Sequence, residues 1–279
     1  NPTGKQLNIL NRFNYKNLEK GLIGFFDFNY IFDERVYGQN EYIGHTVFPE
    51  NQNYWGGKTD SEIVKTNFKL GYVDPVITYR TLGIQFAYTA IDMGSSFGNS
   101  IHDINQSSIF TNLVYNSIIG NTLHKIKTGI SVSYDEYDEY VNNLDISRTE
   151  KSIGAYFEYN YNDADKINLS AGLRVDNHNK IGTFISPRFH MNYMLFPKST
   201  IKFSFGKATR FANIFSENQK LFFSSRKIIF SDGLNLSDFA NLNADEAWNY
   251  GISIINSFKL FGKESQLTLD YYITDFENK

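Results

Sequence analysis

The chain alternates between apolar and polar positions along most of its length. In residues 166–176 every second residue is apolar, and the residues between them are polar or glycine. The apolar set is Ile167, Leu169, Ala171, Leu173 and Val175. Successive side chains of a β-strand point to opposite faces. The pattern therefore predicts a strand with one apolar face and one polar face, and the polar face carries Arg174.

The same alternation recurs in other parts of the chain, for example in residues 125–134, 151–161 and 267–274. We count roughly twelve such segments of about ten to fifteen residues, which is long for globular proteins and usual for membrane barrels. The fold class predicted is all-β, an antiparallel transmembrane β-barrel segment of about 12 long meandering strands.

The predicted connections between these strands alternate in length. Short turns are predicted at 17–21, 73–76, 119–121, 162–166, 196–199 and 261–264. Longer links are predicted at about 34–60, 91–105, 135–148, 177–182 and 208–244. Membrane barrels have short periplasmic turns and longer extracellular loops. The sequence therefore predicts that all the long links lie at the extracellular edge.

Aromatic residues collect near the ends of the predicted strands, as at Tyr30, Tyr159, Tyr161 and Tyr193. Such residues form the aromatic girdles at the two membrane interfaces of a barrel. They could equally form cross-strand pairs in a soluble sheet. We favour the girdle because the strand lengths and the connections agree with it, which places lipid outside the sheet and a polar lumen inside.

Composition agrees with a β-rich protein and excludes several other classes. The 279 residues include 25 Phe, 19 Tyr and no Cys, so no disulfide or thiolate metal site can form. A formal net charge of −3 gives no electrostatic argument for a nucleic-acid partner. No apolar run reaches the ~18–20 residues of a membrane helix. A mean hydropathy of −0.38 fits a membrane barrel, because only alternate residues face lipid.

Residues 186–217 carry a series of motifs in a fixed order. The first three are Ser186-Pro187-Arg188, Gly206 at a strand end, and Arg210, Phe211 and Glu217, with Ala212 where proline is usual. The fourth is residues 242–254, LNADEAWNYGISI, in which Ala244 again replaces proline. In these motifs the chain resembles TonB-dependent outer-membrane receptors, particularly those of the Bacteroidetes type. The resemblance extends over essentially the whole chain.

This resemblance implies a barrel of about 22 strands that encloses a plug domain. Residues 1–279 would then be a partial barrel domain that lacks the plug, the TonB box and the final strands. The implied function is TonB-energised uptake of a scarce nutrient, such as siderophore-bound iron, cobalamin or a glycan, across the bacterial outer membrane. The implied partners are outer-membrane lipid, the plug of the same parent chain, TonB and a small-molecule ligand. Nucleic acid, a cofactor and enzymatic activity are not expected.

Two other functional classes are open at the level of sequence. The first is a passive outer-membrane pore or structural barrel that is complete in itself, against which stand the family pattern and the two chain ends, which look like cuts through a longer protein. The second is a soluble β-rich binding module. High solubility of the parent protein without detergent would favour that class.

Candidate functional residues fall into two groups. Arg174, Arg188, His190 and Lys202 lie on predicted polar faces and are expected to face the lumen and the plug. Tyr54, Trp55, Phe222 and Arg226 lie in the two longest predicted loops and are expected to contact ligand. Aromatic side chains in such loops suit stacking on a ligand, although an interfacial anchor is an equally good interpretation of the Tyr-Trp pair.

The sequence gives little support for a metal site or a catalytic site. Acidic residues collect at 135–145 and could attract calcium, but they lack the spacing and the central glycine of a calcium-binding loop, so a solvated loop is favoured. The five histidines show no spacing suited to zinc. Ser186 and His190 could suggest a nucleophile and base, but four residues along a strand separate them by about 13 Å.

Overall fold

The fold was analysed in a computed structural model, which describes residues 3–278 except 41, 43–54, 99, 143, 164, 212 and 223–243. Within these residues twelve strands form one antiparallel sheet in which each strand pairs with its neighbour in sequence. The strands are β1 (Thr3–Asn17), β2 (Leu22–Gly38), β3 (Gly56–Val73), β4 (Thr81–Phe97), β5 (Ser100–Ile119), β6 (Asn121–Val141), β7 (Leu144–Asn162), β8 (Ile167–His178), β9 (Gly182–Phe196), β10 (Ser199–Arg210), β11 (Asp245–Leu260) and β12 (Lys263–Asn278). The all-β class and the strand number predicted from the sequence are confirmed.

The two faces of the sheet differ in polarity, as the alternation predicts. In β8 the apolar side chains of Leu173 and Val175 are 49% and 39% exposed, whereas Asp176 on the other face is 4% exposed. The pairing continues each face across strands, since Leu173 lies opposite Phe157 and Pro187. We call the side with these residues the apolar face and the other side the polar face. The exposed side of this sheet is thus its apolar side, the reverse of a soluble protein.

The connections divide the sheet into two edges. The turn edge carries the connections 18–21, 74–80, 120, 163–166, 197–198 and 261–262, and the loop edge carries 39–55, 98–99, 142–143, 179–181 and 211–244. The prediction of long loops is therefore right at 39–55 and 211–244 and wrong at the other three. There the strands continue through residues in which apolar and polar positions no longer alternate as they do in the middle of the sheet. Hydrogen bonds between strands are made by the backbone and do not require an alternating pattern of side chains.

A tight turn between β6 and β7 illustrates this difference. β6 extends to Val141 and β7 starts at Leu144, and Asn142 has a φ of 55°. Asparagine tolerates this left-handed conformation better than most residues. A two-residue turn of this kind suits the twist of paired strands. The predicted loop at 135–148 is thus almost entirely strand.

The turn edge offers a test of local electrostatics at Asp74. Its carboxylate accepts hydrogen bonds from the backbone N–H groups of Ile77 and Val76, each at 2.9 Å, which lowers the pKa of the Asp74 carboxyl. A lowered pKa in the folded state contributes stability above the unfolded pKa and loses it as the pH falls through the folded pKa. We expect Asp74→Asn to lower the urea midpoint at pH 7 but not below the folded pKa. A difference that is constant with pH would contradict this.

Regular helix is scarce in the described residues. One short helix, α1, covers Ile214–Glu217 and is followed by a 3₁₀ turn at Gln219–Leu221. No helix in these ranges is long and apolar enough to cross a bilayer. The buried hydrophobic cluster brings this segment against the sheet and consists of Phe97, Val141, Ile146, Phe215 and Phe222. We refer to residues 213–222 as the inward segment.

Candidate functional site

The four residues predicted to face a lumen all lie on the polar face. Arg174 lies opposite Ser186 in the neighbouring strand. Arg188 lies between two glycines, Gly172 of β8 and Gly206 of β10, and His190 is two residues further along the same strand. Lys202 is four residues before Gly206 in β10, so the period of two places it on the same face. The polar face therefore carries the side chains of all four of these residues.

Two of these four residues are paired within the wall itself. The Arg174 guanidinium donates from Nε to Asp176 Oδ2 at 2.6 Å and from Nη2 to Ser131 Oγ at 2.7 Å. Arg188 forms an ion pair with Glu158 of β7. Each carboxylate neutralises its arginine. The Arg174–Ser131 hydrogen bond reaches from β8 to β6, and the Arg188–Glu158 ion pair reaches from β9 to β7.

His190 and Lys202 have a different environment. Within the described part of the chain neither makes a hydrogen bond or an ion pair, and both side chains are available on the polar face. Their side-chain nitrogen atoms are therefore available to a group that approaches this face.

The predicted ligand-binding residues are separated by the structure. Trp55 lies at the loop edge, is 38% exposed, and donates its backbone N–H to Gln39 Oε1 at 2.7 Å. Phe222 is only 2% exposed, in the buried cluster on the polar face. A ligand cannot reach the Phe222 ring in this conformation. Tyr54 and Arg226 lie outside the described residues.

The inward segment begins with an ion-pair cluster built from the Arg-Phe…Glu motif. The Arg210 Nη2 atom is 2.9 Å from Glu217 Oε2 and 2.9 Å from Asp245 Oδ2 of β11. Glu217 Oε1 also accepts the backbone N–H of Asn213 at 3.1 Å. Asn213 caps α1, since its side chain accepts the N–H of Ser216. The motif thus fixes the direction in which the chain leaves β10.

Beneath the inward segment lies an ionic network that the sequence did not reveal. Glu139 is 2% exposed, and its Oε1 accepts from Arg148 Nη1 at 2.5 Å. Its Oε2 lies 3.3 Å from His102 Nε2, and His102 is fully buried. Arg148 also donates to Glu150 Oε1 at 2.9 Å and stacks over the ring of Tyr137. These residues come from three strands, and no local spacing in the sequence marks them as neighbours.

This combination of a polar inner face, an apolar outer face and twelve meandering strands agrees with a known family. Residues 6–279 match the family described as TonB dependent receptor-like, beta-barrel. The chain belongs to this family. No curated protein sequence matches the chain.

Solved structures of outer-membrane and siderophore receptors have a similar fold. A mutant of the ferric enterobactin receptor from Pseudomonas aeruginosa aligns with a TM-score of 0.68 and 13% identity over 100% of this chain and 43% of its own. The alcaligin outer-membrane receptor from Bordetella pertussis gives 0.64 and 12% over 98% and 44%. A siderophore receptor from Acinetobacter baumannii gives 0.61 and 11% over 96% and 50%. The chain spans half or less of these proteins, and such low identity establishes the fold alone.

We assign no metal or catalytic centre to the described residues of this TonB-dependent receptor barrel. The acidic residues at 135–145 do not converge, because Asp135 and Glu139 lie on the polar face while Glu136 and Asp138 point to the other side of β6. In the described ranges no group of three or more His, Asp or Glu residues could hold a metal ion. The structures named above are receptors.

Proposed function

We propose that this chain forms part of the wall and the loop edge of an outer-membrane receptor for TonB-energised uptake of a scarce nutrient. The observation that carries the proposal is the polarity of the two faces. An exposed apolar face needs lipid to cover it, and a polar face with paired charges suits an aqueous or protein-filled lumen. Membership of the TonB-dependent receptor family supports the same function.

Iron bound to a siderophore is the nutrient class we favour, because the solved relatives are siderophore receptors. Cobalamin and glycans are the other classes within this function. The loop edge would face the exterior and would bring Tyr54, Trp55, Phe222 and Arg226 towards the ligand. For Phe222 this requires the inward segment to move.

The polar face would meet the plug domain of the parent protein. In this arrangement residues 1–279 are a partial barrel domain, and TonB acts through the plug and not through this wall. His190 and Lys202 are the best candidates for direct contact with plug carboxylates, since the wall already pairs Arg174 and Arg188. The order of motifs in residues 186–217 supports the Bacteroidetes type of receptor.

An uptake experiment tests this proposal. The gene for the parent protein is deleted, and growth under iron limitation is measured with ferric catecholate and ferric hydroxamate siderophores as iron sources, with cobalamin and oligosaccharide growth measured in parallel. We expect growth on one nutrient to be lost and to return only when the gene and functional TonB are both present. Uptake that continues without TonB would support the passive pore instead.

A further inference from the structure

The inward segment covers the polar face at the loop edge. Residues 213–222 turn back from the end of β10, and Phe215 and Phe222 become 8% and 2% exposed. The Phe222 ring is stacked on the buried His102 ring with centroids 5.1 Å apart and an interplanar angle of 14°. It also lies 6.3 Å from the ring of Phe97 in β4. Aromatic burial therefore holds the segment against strands that are distant in the sequence.

A single wall carboxylate joins this segment to the strands through a hydrogen bond. Asn213 Nδ2 donates to Glu139 Oε1 at 3.3 Å, across 74 residues of sequence. The same oxygen accepts from Arg148, and the other oxygen faces His102. A buried carboxylate is stable only when its oxygens are satisfied in this way. Glu139 therefore connects β5, β6 and β7 to the start of the inward segment.

The arrangement favours one position for the segment. If Asn213 moves away, Glu139 loses one of its three partners, and the rings of Phe215 and Phe222 return to water. Ion pairs of Arg210 with Glu217 and Asp245 keep the base of the segment beside β11. The wall residue Val141 is 0% exposed and belongs to the same cluster as Phe215 and Phe222, so its exposure should rise when the segment leaves.

We propose that Glu139 is a positioning residue that holds the inward segment, the first part of the β10–β11 connection, on the polar face. The functional consequence rests on the proposed receptor function, in which this connection contacts ligand. The position of the inward segment does not depend on that function. The position of the segment can be measured with no ligand present.

Accessibility of a cysteine placed beneath the segment measures that position. The residues 1–279 contain no cysteine, so Val141→Cys introduces a reporter into the full parent protein once any other cysteine has been replaced. The purified protein in detergent is treated with a maleimide. Ser216→Cys, at an exposed site on the segment itself, gives the rate for an unprotected thiol. We expect Val141→Cys to react much more slowly than Ser216→Cys.

Adding Glu139→Gln should raise the labelling rate of Val141→Cys by about tenfold or more, because a charge-assisted network is lost. The matched control is Glu158→Gln, which makes the same chemical change on the same face and also removes an ion pair with an arginine, Arg188. Glu158 does not contact the inward segment. We expect no change in labelling for this control.

A second variant covers the case in which Glu139→Gln fails to assemble. Asn213→Ala removes the segment's side of the contact, together with the α1 cap at Ser216. It leaves Glu139 paired with Arg148 and His102, so the wall should stay intact. Asn213→Ala should also raise the labelling rate of Val141→Cys. Heat-modifiable migration on gels confirms that each variant is a folded barrel.

Two outcomes would overturn the positioning role. One is unchanged labelling in folded Glu139→Gln and Asn213→Ala. The other is an equal rise in Glu158→Gln, which would indicate general loosening of the barrel. If nutrient uptake fails its own test while the labelling behaves as expected, the receptor function is wrong and the positioning role stands.

Discussion

Replacing Leu173 by arginine is expected to lower the free energy of unfolding of the lipid-embedded barrel by about 2–4 kcal/mol, the cost of a charge near the bilayer midplane. Leu173 is 49% exposed on the apolar face and lies between Phe157 and Pro187. No carboxylate shares that neighbourhood in the two paired strands. The measurement is reversible guanidinium unfolding of the parent protein in lipid vesicles.

The matched control for this prediction is Ser170→Arg. Ser170 is three residues away in the same strand but lies on the polar face, opposite Asn160 and His190. An added guanidinium there meets polar neighbours, so we expect a clearly smaller loss of stability. Equal losses at the two positions would mean that the apolar face does not contact lipid, and the assignment of the faces would be wrong.

Replacing Gly129 by alanine is expected to have the second largest effect, a loss of about 1–3 kcal/mol from overpacking. A Cβ atom at this position would lie 2.3 Å from the backbone oxygen of Leu113 and 2.5 Å from the Tyr156 hydroxyl. The backbone oxygen belongs to the paired strand β5 and cannot move aside without disturbing the pairing. The Tyr156 hydroxyl also donates to Asn112, so its displacement would cost a hydrogen bond as well.

Gly71→Ala provides the comparison for this second prediction. Gly71 is also a strand glycine, in β3, but the nearest atom to its added Cβ would be the Ile23 oxygen at 3.8 Å, an ordinary contact. We expect only a small change in the free energy of unfolding for Gly71→Ala, in either direction. Both variants are compared by the same unfolding measurement. If Gly71→Ala cost as much as Gly129→Ala, close packing of Tyr156 over Gly129 would not explain the effect.

The alternation predicted most of the sheet because it is a local property of each strand. A strand between lipid and an aqueous or protein-filled lumen must carry apolar residues at every second position, and the stretch around Leu173 shows this without reference to any other strand. The polar-face positions of Arg174, Arg188, His190 and Lys202 follow from the same period of two. Their order in the sheet also follows, since each strand pairs with its neighbour in sequence.

Strand ends were less predictable. Near the loop edge the side that is apolar elsewhere carries Glu136 and Asp138, and the other side carries the buried Phe97, Val141 and Ile146. The alternation is therefore lost there although the backbone pairing continues. The segment around Asp138 and Glu139 therefore looks like a loop and is in fact paired with β7. Only the pairing partner, which is brought in by the turn at Asn142, reveals that these residues belong to a strand.

By itself, the sequence determined the all-β class, the number of strands, their order and the two faces, because these depend on neighbours one or two residues apart. The tertiary structure decided the inward segment and the network around Glu139. Those contacts join residues 37 and 74 positions apart, and they form only when the sheet brings β4 to β7 beside the end of β10. Burial of Phe222 likewise depends on this distant wall, which is why a loop phenylalanine expected to meet ligand lies in a closed cluster instead.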